Sequence, residues 1–276
     1  MLALLGPGPP AWSAPPAPTI RGDLTAGAAV YPDALSPGRD VEWELGGVLE
    51  LSWRPHGSWR IQANPRLWWD PLDPGRWRWV PREAWLGFRS GPFRLRAGRQ
   101  VLGWGSADTY RPTDVVGTRD WGRDFLDPEK MGDWSLTASY GGRRLGLEFV
   151  YLPVLEGVDF PSARSPWSLE SAQNRLGGFR LPLVESPWVP GDVSEQSLAS
   201  RARITAGRTD LYLVAYTGVD RQPLLALEQR CDDPECVQAT LALRAAYPRL
   251  NLGGLEVQAA VGDLLLKACL LYTSPS

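Results

Sequence analysis

Residues 41–67 read VEWELGGVLELSWRPHGSWRIQANPRL, and the alternation in this stretch decides the fold. Along 41–53 every second residue is apolar or glycine, and glutamates recur between them. After a turn at 54–58, apolar and polar residues alternate again along 59–67. Successive side chains of a β-strand point to opposite faces, so this period of two predicts two strands joined by a turn.

The two faces of these strands differ in chemistry. One carries Val41, Trp43, Leu45, Leu49, Leu51, Trp53, Trp59, Ile61, Ala63 and Leu67, and the other carries Glu42, Glu44, Glu50, Arg60, Gln62, Asn64 and Arg66. The charged face does not suit the core of a soluble protein, and the apolar face is too continuous for water. One face in lipid and the other in a wet lumen satisfies both, which predicts a transmembrane β-barrel.

Similar alternating segments recur along the chain, and no stretch with a helical period competes with them. Together they predict an all-β fold, an antiparallel up-and-down transmembrane β-barrel with about eleven strands. The predicted strands lie at about 24–31, 41–53, 59–67, 77–88, 93–103, 134–140, 145–153, 198–206, 209–217, 237–247 and 250–261.

The connections between these strands alternate between two classes. The short ones lie near 54–58, 89–92, 141–144, 207–208 and 248–249, and the longer ones at 32–40, 69–76, 104–133, 154–197 and 218–236. Short turns at one end and longer loops at the other are typical of outer-membrane barrels. A soluble β-sandwich also has strands and turns, but it has no reason to place its longer connections at one end.

Aromatic residues gather at the predicted strand ends, which suits two girdles at the two membrane interfaces. Those near the short turns are Trp53, Trp59, Phe88, Phe93, Tyr140 and Tyr247. Those toward the longer loops are Trp43, Trp68, Trp69, Trp77, Trp79, Trp104, Trp134, Tyr151 and Tyr216.

Composition excludes two other classes of protein. The chain has 29 Lys and Arg against 31 Asp and Glu, a formal net charge of -2, which argues against a nucleic-acid binder with a basic surface. No stretch approaches the roughly 18 consecutive apolar residues of a transmembrane helix, which excludes a helical membrane protein. The 14 Trp suit contact with a membrane interface, where an apolar ring and a polar N–H are both satisfied.

The two ends of the chain depart from the alternating pattern. Residues 1–19 resemble the later part of a secretory signal peptide without its charged start, and a disordered Pro-rich terminus is the alternative. Residues 268–276 abandon the alternation and resemble a translated sequencing adapter. Bacterial barrels close with an even number of strands, so an odd count suggests missing strands. We therefore expect an N-terminal fragment in which 20–267 form part of a barrel.

Two cysteines lie close together in the sequence CDDPEC. Cys231 and Cys236 predict a local disulfide of an oxidising compartment. A metal site is the first alternative, although no further Cys or His pair completes four ligands, and free thiols are the second. Cys269 lies in the tail that we expect to be non-native.

Residues 95–136 contain the most distinctive motifs of the chain. They are Gly98-Arg99-Gln100, Trp104-Gly105, Pro112-Thr113-Asp114 and Asp127-Pro128-Glu129-Lys130. Over about 77–150 the chain resembles the porin-like outer-membrane families related to alginate-export and similar substrate-channel barrels. The resemblance implies a channel in the bacterial outer membrane. One departure is that 117–120 stand where an Asn-Pro-x-Asp type of turn is expected.

The loop at 104–133 carries charges of both signs and is long enough to fold into the barrel mouth. Charged rings that line a lumen determine which solutes pass. The alternative is that these charges only stabilise the loop by pairing with one another. One network can do both. We expect the acidic residues of the loop to meet strand arginines such as Arg94 and Arg96. The candidate lumen and constriction residues are Arg60, Arg66, Arg94, Arg96, Gln100, Asp108, Arg111, Asp114, Arg119, Asp120 and Asp124.

Residues typical of enzymes are few. The single histidine, His56, lies in a short turn away from the longer loops, and Gly-x-Gly at 103–105 opens no helix. We therefore predict no enzymatic activity and no cofactor. The sequence favours a porin-like channel for passive passage of small solutes or export of a polymer. The alternative is a plugged surface barrel, an adhesin or envelope scaffold that acts through its loops at 154–197 and 218–236. Membrane lipid and the solute are the expected partners, and the oligomeric state stays open.

Overall fold

The structure, a computed structural model, describes residues 16–30, 41–71, 73–105, 111–122, 128–158, 160–161, 183–188, 196–231 and 239–275. The elements within these ranges are all β-strands. Eleven of them form one sheet, which we call the wall, and each wall strand pairs antiparallel with the next wall strand along the chain. The predicted all-β, antiparallel up-and-down architecture is confirmed in strand direction and number.

The strands are numbered in chain order. The wall consists of β1 (Thr19–Val30), β2 (Val41–Trp53), β3 (Trp59–Asp70), β4 (Asp73–Ser90), β5 (Phe93–Val101), β8 (Gly132–Gly141), β9 (Leu145–Leu152), β11 (Ser197–Ala206), β12 (Thr209–Val219), β15 (Arg249–Val261) and β16 (Leu264–Pro275). The other strands are β6 (Arg119–Asp120), β7 (Glu129–Lys130), β10 (Leu183–Trp188), β13 (Leu224–Cys231) and β14 (Ala239–Ala246).

One predicted wall strand is wrong. The segment predicted at 237–247 contains β14, which pairs with β10 and β13 in a separate three-stranded sheet. Its place in the wall is taken by β16, which pairs with β15 along its whole length and which the sequence did not predict. The apolar alternation of 237–247 is real, but its partners are strands of the long connections rather than of the wall.

The turn end of the wall has tight hairpins. Between β4 and β5, between β11 and β12, and between β15 and β16, two-residue turns begin with Gly91, Gly207 and Gly262, whose φ values are 56°, 61° and 61°. The primed turns that join two strands tightly need a positive φ at this position, and glycine adopts it without steric cost. At the loop end the predicted connection 69–76 is also short, because β3 ends at Asp70 and β4 begins at Asp73.

The two faces of the wall differ as the alternation predicts. Large apolar side chains are exposed along one face, for example Trp79 at 58%, Leu136 at 44% and Phe149 at 57%. Their neighbours on the other face are polar and often buried, among them Thr137 and Asn64. An exposed apolar band of this extent on an antiparallel sheet suits contact with lipid.

The two aromatic girdles are only partly as predicted. At the turn end, Trp59 packs against Phe88 and Phe93 against Tyr140, with ring centroids 5.0 and 5.1 Å apart. Tyr247 lies at the other end, where its hydroxyl accepts a hydrogen bond from the backbone N–H of Val158. At the loop end, Trp68, Trp104 and Tyr216 are buried on the polar face rather than exposed.

The predicted signal-peptide remnant and the predicted non-native tail stay predictions. Residues 1–15 lie outside the described residues, and the carbonyl of Pro16 accepts a hydrogen bond from the Trp53 indole. Residues 264–275 form β16, in register with β15, and this pairing does not test whether 268–276 are native.

No helix long and apolar enough to cross a membrane occurs in the part of the chain that the structure describes.

Candidate functional site

The segment from Leu102 to Met131 joins β5 to β8, and we call it the inner loop. It contains the short hairpin of β6 and β7, in which Arg119 pairs with Lys130 and Asp120 with Glu129. The described parts of the inner loop lie against the polar face of the wall, as the contacts below show. The predicted constriction of a lumen by this loop stays a prediction, and Asp108 and Asp124 lie outside the described residues.

An apolar seat holds the inner loop against the wall. Val116 is fully buried and Trp104 is 1% exposed. These loop residues share one cluster with Val150, Leu152, Ala199, Val214, Tyr216 and Leu252, which belong to β9, β11, β12 and β15. Burying a side chain of this size contributes roughly 1.5 to 3 kcal/mol, so the seat fixes the loop more firmly than exposed charges alone.

Asp114 links the two ends of the inner loop through its carboxylate. Its carboxylate accepts hydrogen bonds from the backbone N–H of Trp104 at 2.8 Å and from Nζ of Lys130 at 2.5 Å. Nη2 of Arg119 lies 3.8 Å from its other oxygen. Burial lowers the pKa of Lys130, and the nearby Asp114 carboxylate opposes that effect. The buried pair ties both ends of the loop together.

On one flank the inner loop binds arginines of β3 and β4. Glu129 accepts from Nη1 of Arg66 at 2.5 Å and lies 3.1 Å from Nη1 of Arg82. Asp120 accepts from Nη1 of Arg78 at 2.7 Å. These charge-assisted contacts neutralise arginines that face away from lipid.

On the other flank the loop reaches β9 and β15. The indole N–H of Trp104 donates to Glu148 at 2.6 Å, and the hydroxyl of Thr113 donates to Glu256. In the sheet order β3 and β15 are seven strand positions apart, which is roughly 34 Å in a flat sheet. Contacts from one braced loop to both strands are consistent with a wall that curves around the loop.

A buried ion pair at β8, to which the inner loop also binds, contacts two other long connections. Nη1 of Arg221 donates to Asp133 at 2.8 Å, and the two side chains are 0% and 1% exposed. Asp133 also accepts from the N–H and the hydroxyl of Thr118, at 2.9 and 2.7 Å. Arg221 Nη2 donates to the carbonyl of Val154. Breaking such a pair leaves one uncompensated buried charge.

Below the inner loop, toward the turn end, lies a cavity of about 420 Å³ that we call the turn-side cavity. It is lined by Gly105 of the inner loop and by residues of the wall strands. Its charged lining residues are Arg94, Arg201, Arg203, Glu148 and Glu256, with Tyr140, Tyr212 and Gln258 among the polar ones.

Two further arginines of the polar face stack on a single tryptophan ring. The guanidinium groups of Arg60 and Arg96 lie 5.6 and 5.5 Å from the ring centroid of Trp85. Register places Gly87 between these two arginines, and a Cβ there would lie 2.9 Å from the Trp85 ring. Glycine thus leaves room for the indole, and cation–π contacts of this kind are worth about 0.5 to 1 kcal/mol at exposed sites.

The predicted site residues separate into two groups. Arg66, Asp114, Arg119 and Asp120 lie in the network of the inner loop. Arg60, Arg94 and Arg96 lie on the polar face outside it. Asp114 and Asp120 contact other cationic side chains, and Asp108, Asp124 and Asp127 lie outside the described residues, so the expected pairing with Arg94 and Arg96 stays a prediction. The described loop carboxylates Asp120 and Glu129 contact Arg66, Arg78 and Arg82, because β3 and β4 lie beneath the β6–β7 hairpin.

The remaining predictions concern Gln100, Arg111 and the cysteine pair. Gln100 does not line an open lumen: it is fully buried, and its amide donates to the carbonyl of Ser135. Arg111 is exposed at the start of the described second part of the loop. Cys236 and the side chain of Cys231 lie outside the described residues, so the disulfide stays a prediction.

Sequence reasoning missed several residues of the network, notably Arg78, Arg82, Glu148 and Arg221. The signal for Arg78 was available, since it alternates with Trp77 and Trp79 and must therefore face away from lipid. Arg221 carried no such signal, because it lies in a connection without alternation. No group of three or more His, Cys, Asp or Glu side chains suited to a metal occurs among the described residues.

No family profile and no curated protein matches the sequence. Among solved structures, a loop-deletion mutant of OmpT, an outer membrane protein of Vibrio cholerae, matches with 10% identity and a TM-score of 0.48 over 95% of this chain and 71% of that chain. Salmonella typhi OmpF in complex with daunomycin matches with 12% identity and a TM-score of 0.33, over 94% and 78%. A mutant of the Rh. blastica porin matches with 9% identity and a TM-score of 0.34, over 92% and 84%. TM-scores below 0.5 do not define a common fold.

Proposed function

We propose that this chain forms the wall of a porin-like channel in the bacterial outer membrane, and that the inner loop narrows its lumen. Small hydrophilic solutes cross by diffusion along the polar face. The wall contacts membrane lipid through its exposed apolar face. This proposal rests on the geometry of the wall and the loop.

The observation that carries the proposal is the division of the wall into two faces with a loop across only one of them. Apolar side chains such as Leu136 are exposed on the face without the loop. The polar face carries Arg66, Arg78 and Glu148, all of which contact the inner loop. An arginine facing lipid at the midplane costs roughly 2 to 4 kcal/mol, so these side chains belong in a hydrated interior.

The inner loop is suited to act as a fixed constriction. Its apolar seat, the Asp114 contacts and its ion pairs to β3 and β4 hold it from several sides. A loop held in this way reduces the width of the lumen at one depth without closing the turn-side cavity beneath it. Charged side chains along such a constriction influence which solutes pass.

A plugged surface barrel is the second candidate. The tight packing of Val116 and Trp104 against the wall favours it, because the same contacts that narrow a lumen can also fill it. The small sheet of β10, β13 and β14 beside the wall would then serve contact with other surfaces. The two candidates differ in whether ions cross the folded protein.

Conductance in planar bilayers tests the proposal. The full-length protein, folded into lipid, is compared with a variant in which residues 105–128 are replaced by a short Gly-Ser linker. We expect discrete conductance steps from the unmodified protein and larger steps from the variant. Conductance steps of equal size in the two proteins would show that the loop does not narrow the lumen. No conductance from the unmodified protein, together with conductance from the variant, would establish the plug.

A further inference from the structure

We propose that the turn-side cavity binds small organic anions bearing carboxylate or phosphate groups, so that the channel selects such solutes beneath its constriction. This inference rests on the proposed channel function and names its solute class. The binding groups are the guanidinium groups of Arg94, Arg201 and Arg203, which line one cavity from three different positions on the wall.

Two of the three cavity arginines lack the ion pairs that neutralise the arginines beneath the loop. Within the described residues, neither Arg94 nor Arg203 forms a salt bridge with a carboxylate, and the Nε of Arg203 is buried without a hydrogen-bond partner. Arg201 lies 4.0 Å from Glu148, a distance longer than that of a charge-assisted hydrogen bond. The cavity therefore offers guanidinium donors to a ligand.

The two carboxylates of the cavity accept hydrogen bonds from the inner loop. Glu148 accepts the indole N–H of Trp104, and Glu256 accepts the hydroxyl of Thr113. The guanidinium of Arg201 lies 5.6 Å from the ring centroid of the same Trp104. Three guanidinium groups and two carboxylates line the cavity, which leaves a positive potential where a solute emerges from the constriction.

Register places the cavity arginines beside small and aromatic neighbours. Arg203 lies between Gly146 on β9 and Tyr212 on β12. A Cβ at Gly146 would lie 3.6 Å from Nε of Arg203, an ordinary van der Waals contact, so glycine leaves this position without a side chain over the guanidinium. Tyr212 supplies an aromatic ring, over which the guanidinium of Arg201 lies at 5.8 Å. Arg94 faces this group from β5, across Ser139 and Glu148.

The chemistry of the lining defines the ligand. A guanidinium group presents its N–H donors in a planar fork that matches the oxygens of a carboxylate or phosphate. A cavity of about 420 Å³ falls within the size range of small-molecule sites. Citrate and inorganic phosphate are suitable probes, since they separate the two kinds of anionic group.

Calorimetry on the full-length protein folded in detergent tests this site. The double variant Arg94→Gln with Arg203→Gln is compared with Arg208→Gln, a matched change in an exposed turn residue outside the cavity. We expect citrate or phosphate to bind the unmodified protein and the Arg208→Gln control equally. Loss of the charge-assisted contacts should weaken binding to the double variant by about tenfold or more.

The outcomes separate this inference from the channel itself. Conductance of each variant is recorded in parallel, and Arg203→Gln alone serves if the double variant does not fold. The anion site would be overturned, and the channel would stand, if the protein conducts but binds neither citrate nor phosphate. Equal binding of the probe by all variants would have the same consequence. Anion binding without conductance would contradict the channel and keep the site. Preference for citrate or for phosphate identifies which anionic group the cavity selects.

Discussion

The loop side and the turn side of the polar face treat charge differently. On the loop side, Asp114, Asp120, Glu129 and Asp133 each contact a cationic side chain. On the turn side, Arg94, Arg201 and Arg203 line a cavity with two carboxylates, both of which accept hydrogen bonds from the inner loop. One face of a single sheet can therefore hold a loop rigidly at one end and present a cationic surface to solutes at the other.

The largest expected effect comes from breaking the buried ion pair. Asp133→Ala leaves Arg221 charged, fully buried and without its carboxylate. We expect a loss of about 3 to 5 kcal/mol in the free energy of unfolding, measured with urea in lipid vesicles. Asp263→Ala, in the exposed turn between β15 and β16, is the control and should change stability little. An equal loss of unfolding free energy in both variants would contradict a stabilising role of the buried ion pair.

The next effect comes from placing a charge on the apolar face. Leu136→Arg puts a guanidinium at the exposed middle of β8, where lipid is expected, and should cost roughly 2 to 4 kcal/mol. Gln258→Arg places the same charge on the polar face, in register with Asp210, and should be tolerated. The same unfolding assay measures both. If the second variant lost more stability than the first, the faces would be assigned the wrong way round.

A smaller effect separates a constriction from a simple brace. Glu129 and Glu156 are each about one-third exposed, at 34% and 33%, and each pairs with wall arginines. Removing either charge should cost about 1 kcal/mol or less, because partly exposed ion pairs contribute little. Only Glu129→Gln loosens the inner loop, so we expect that variant alone to show altered conductance and more current noise. Identical currents from both variants would show that Glu129 stabilises the loop without affecting the constriction.

Most of the wall follows from the sequence because period-two alternation reports the environment of a strand directly. The stretches 41–53 and 59–67 were predicted with nearly their observed bounds, since lipid and lumen impose opposite chemistry on neighbouring residues. The exchange of β14 for β16 shows the limit. Alternation identifies a strand, but it does not say which strand is its partner.

The candidate site was less predictable for a related reason. That a charged loop would meet wall arginines followed from the charge pattern, but the identity of those arginines depended on how the β6–β7 hairpin turns over β3 and β4. Arg94 and Arg96 are adjacent to the loop in sequence, yet the described loop carboxylates contact arginines of β3 and β4. Long-range pairings such as Arg221 with Asp133 leave no periodic trace in a sequence.

The central claim is that the polar face borders water and the apolar face borders lipid, and cysteine accessibility tests it most directly. Two adjacent rungs of the β5–β8 ladder provide matched positions, Arg94 opposite Ser139 and Leu95 opposite Ala138. Each is changed singly to Cys in a protein whose own Cys231, Cys236 and Cys269 are replaced by Ser, and the protein is folded into lipid vesicles.

A water-soluble thiol reagent should modify Arg94→Cys and Ser139→Cys quickly and leave Leu95→Cys and Ala138→Cys largely unreacted. A lipid-soluble quencher should reach fluorescent labels at the second pair and spare the first. Equal reaction at all four positions, or the reverse pattern, would contradict the claim that this wall separates lipid from a hydrated lumen.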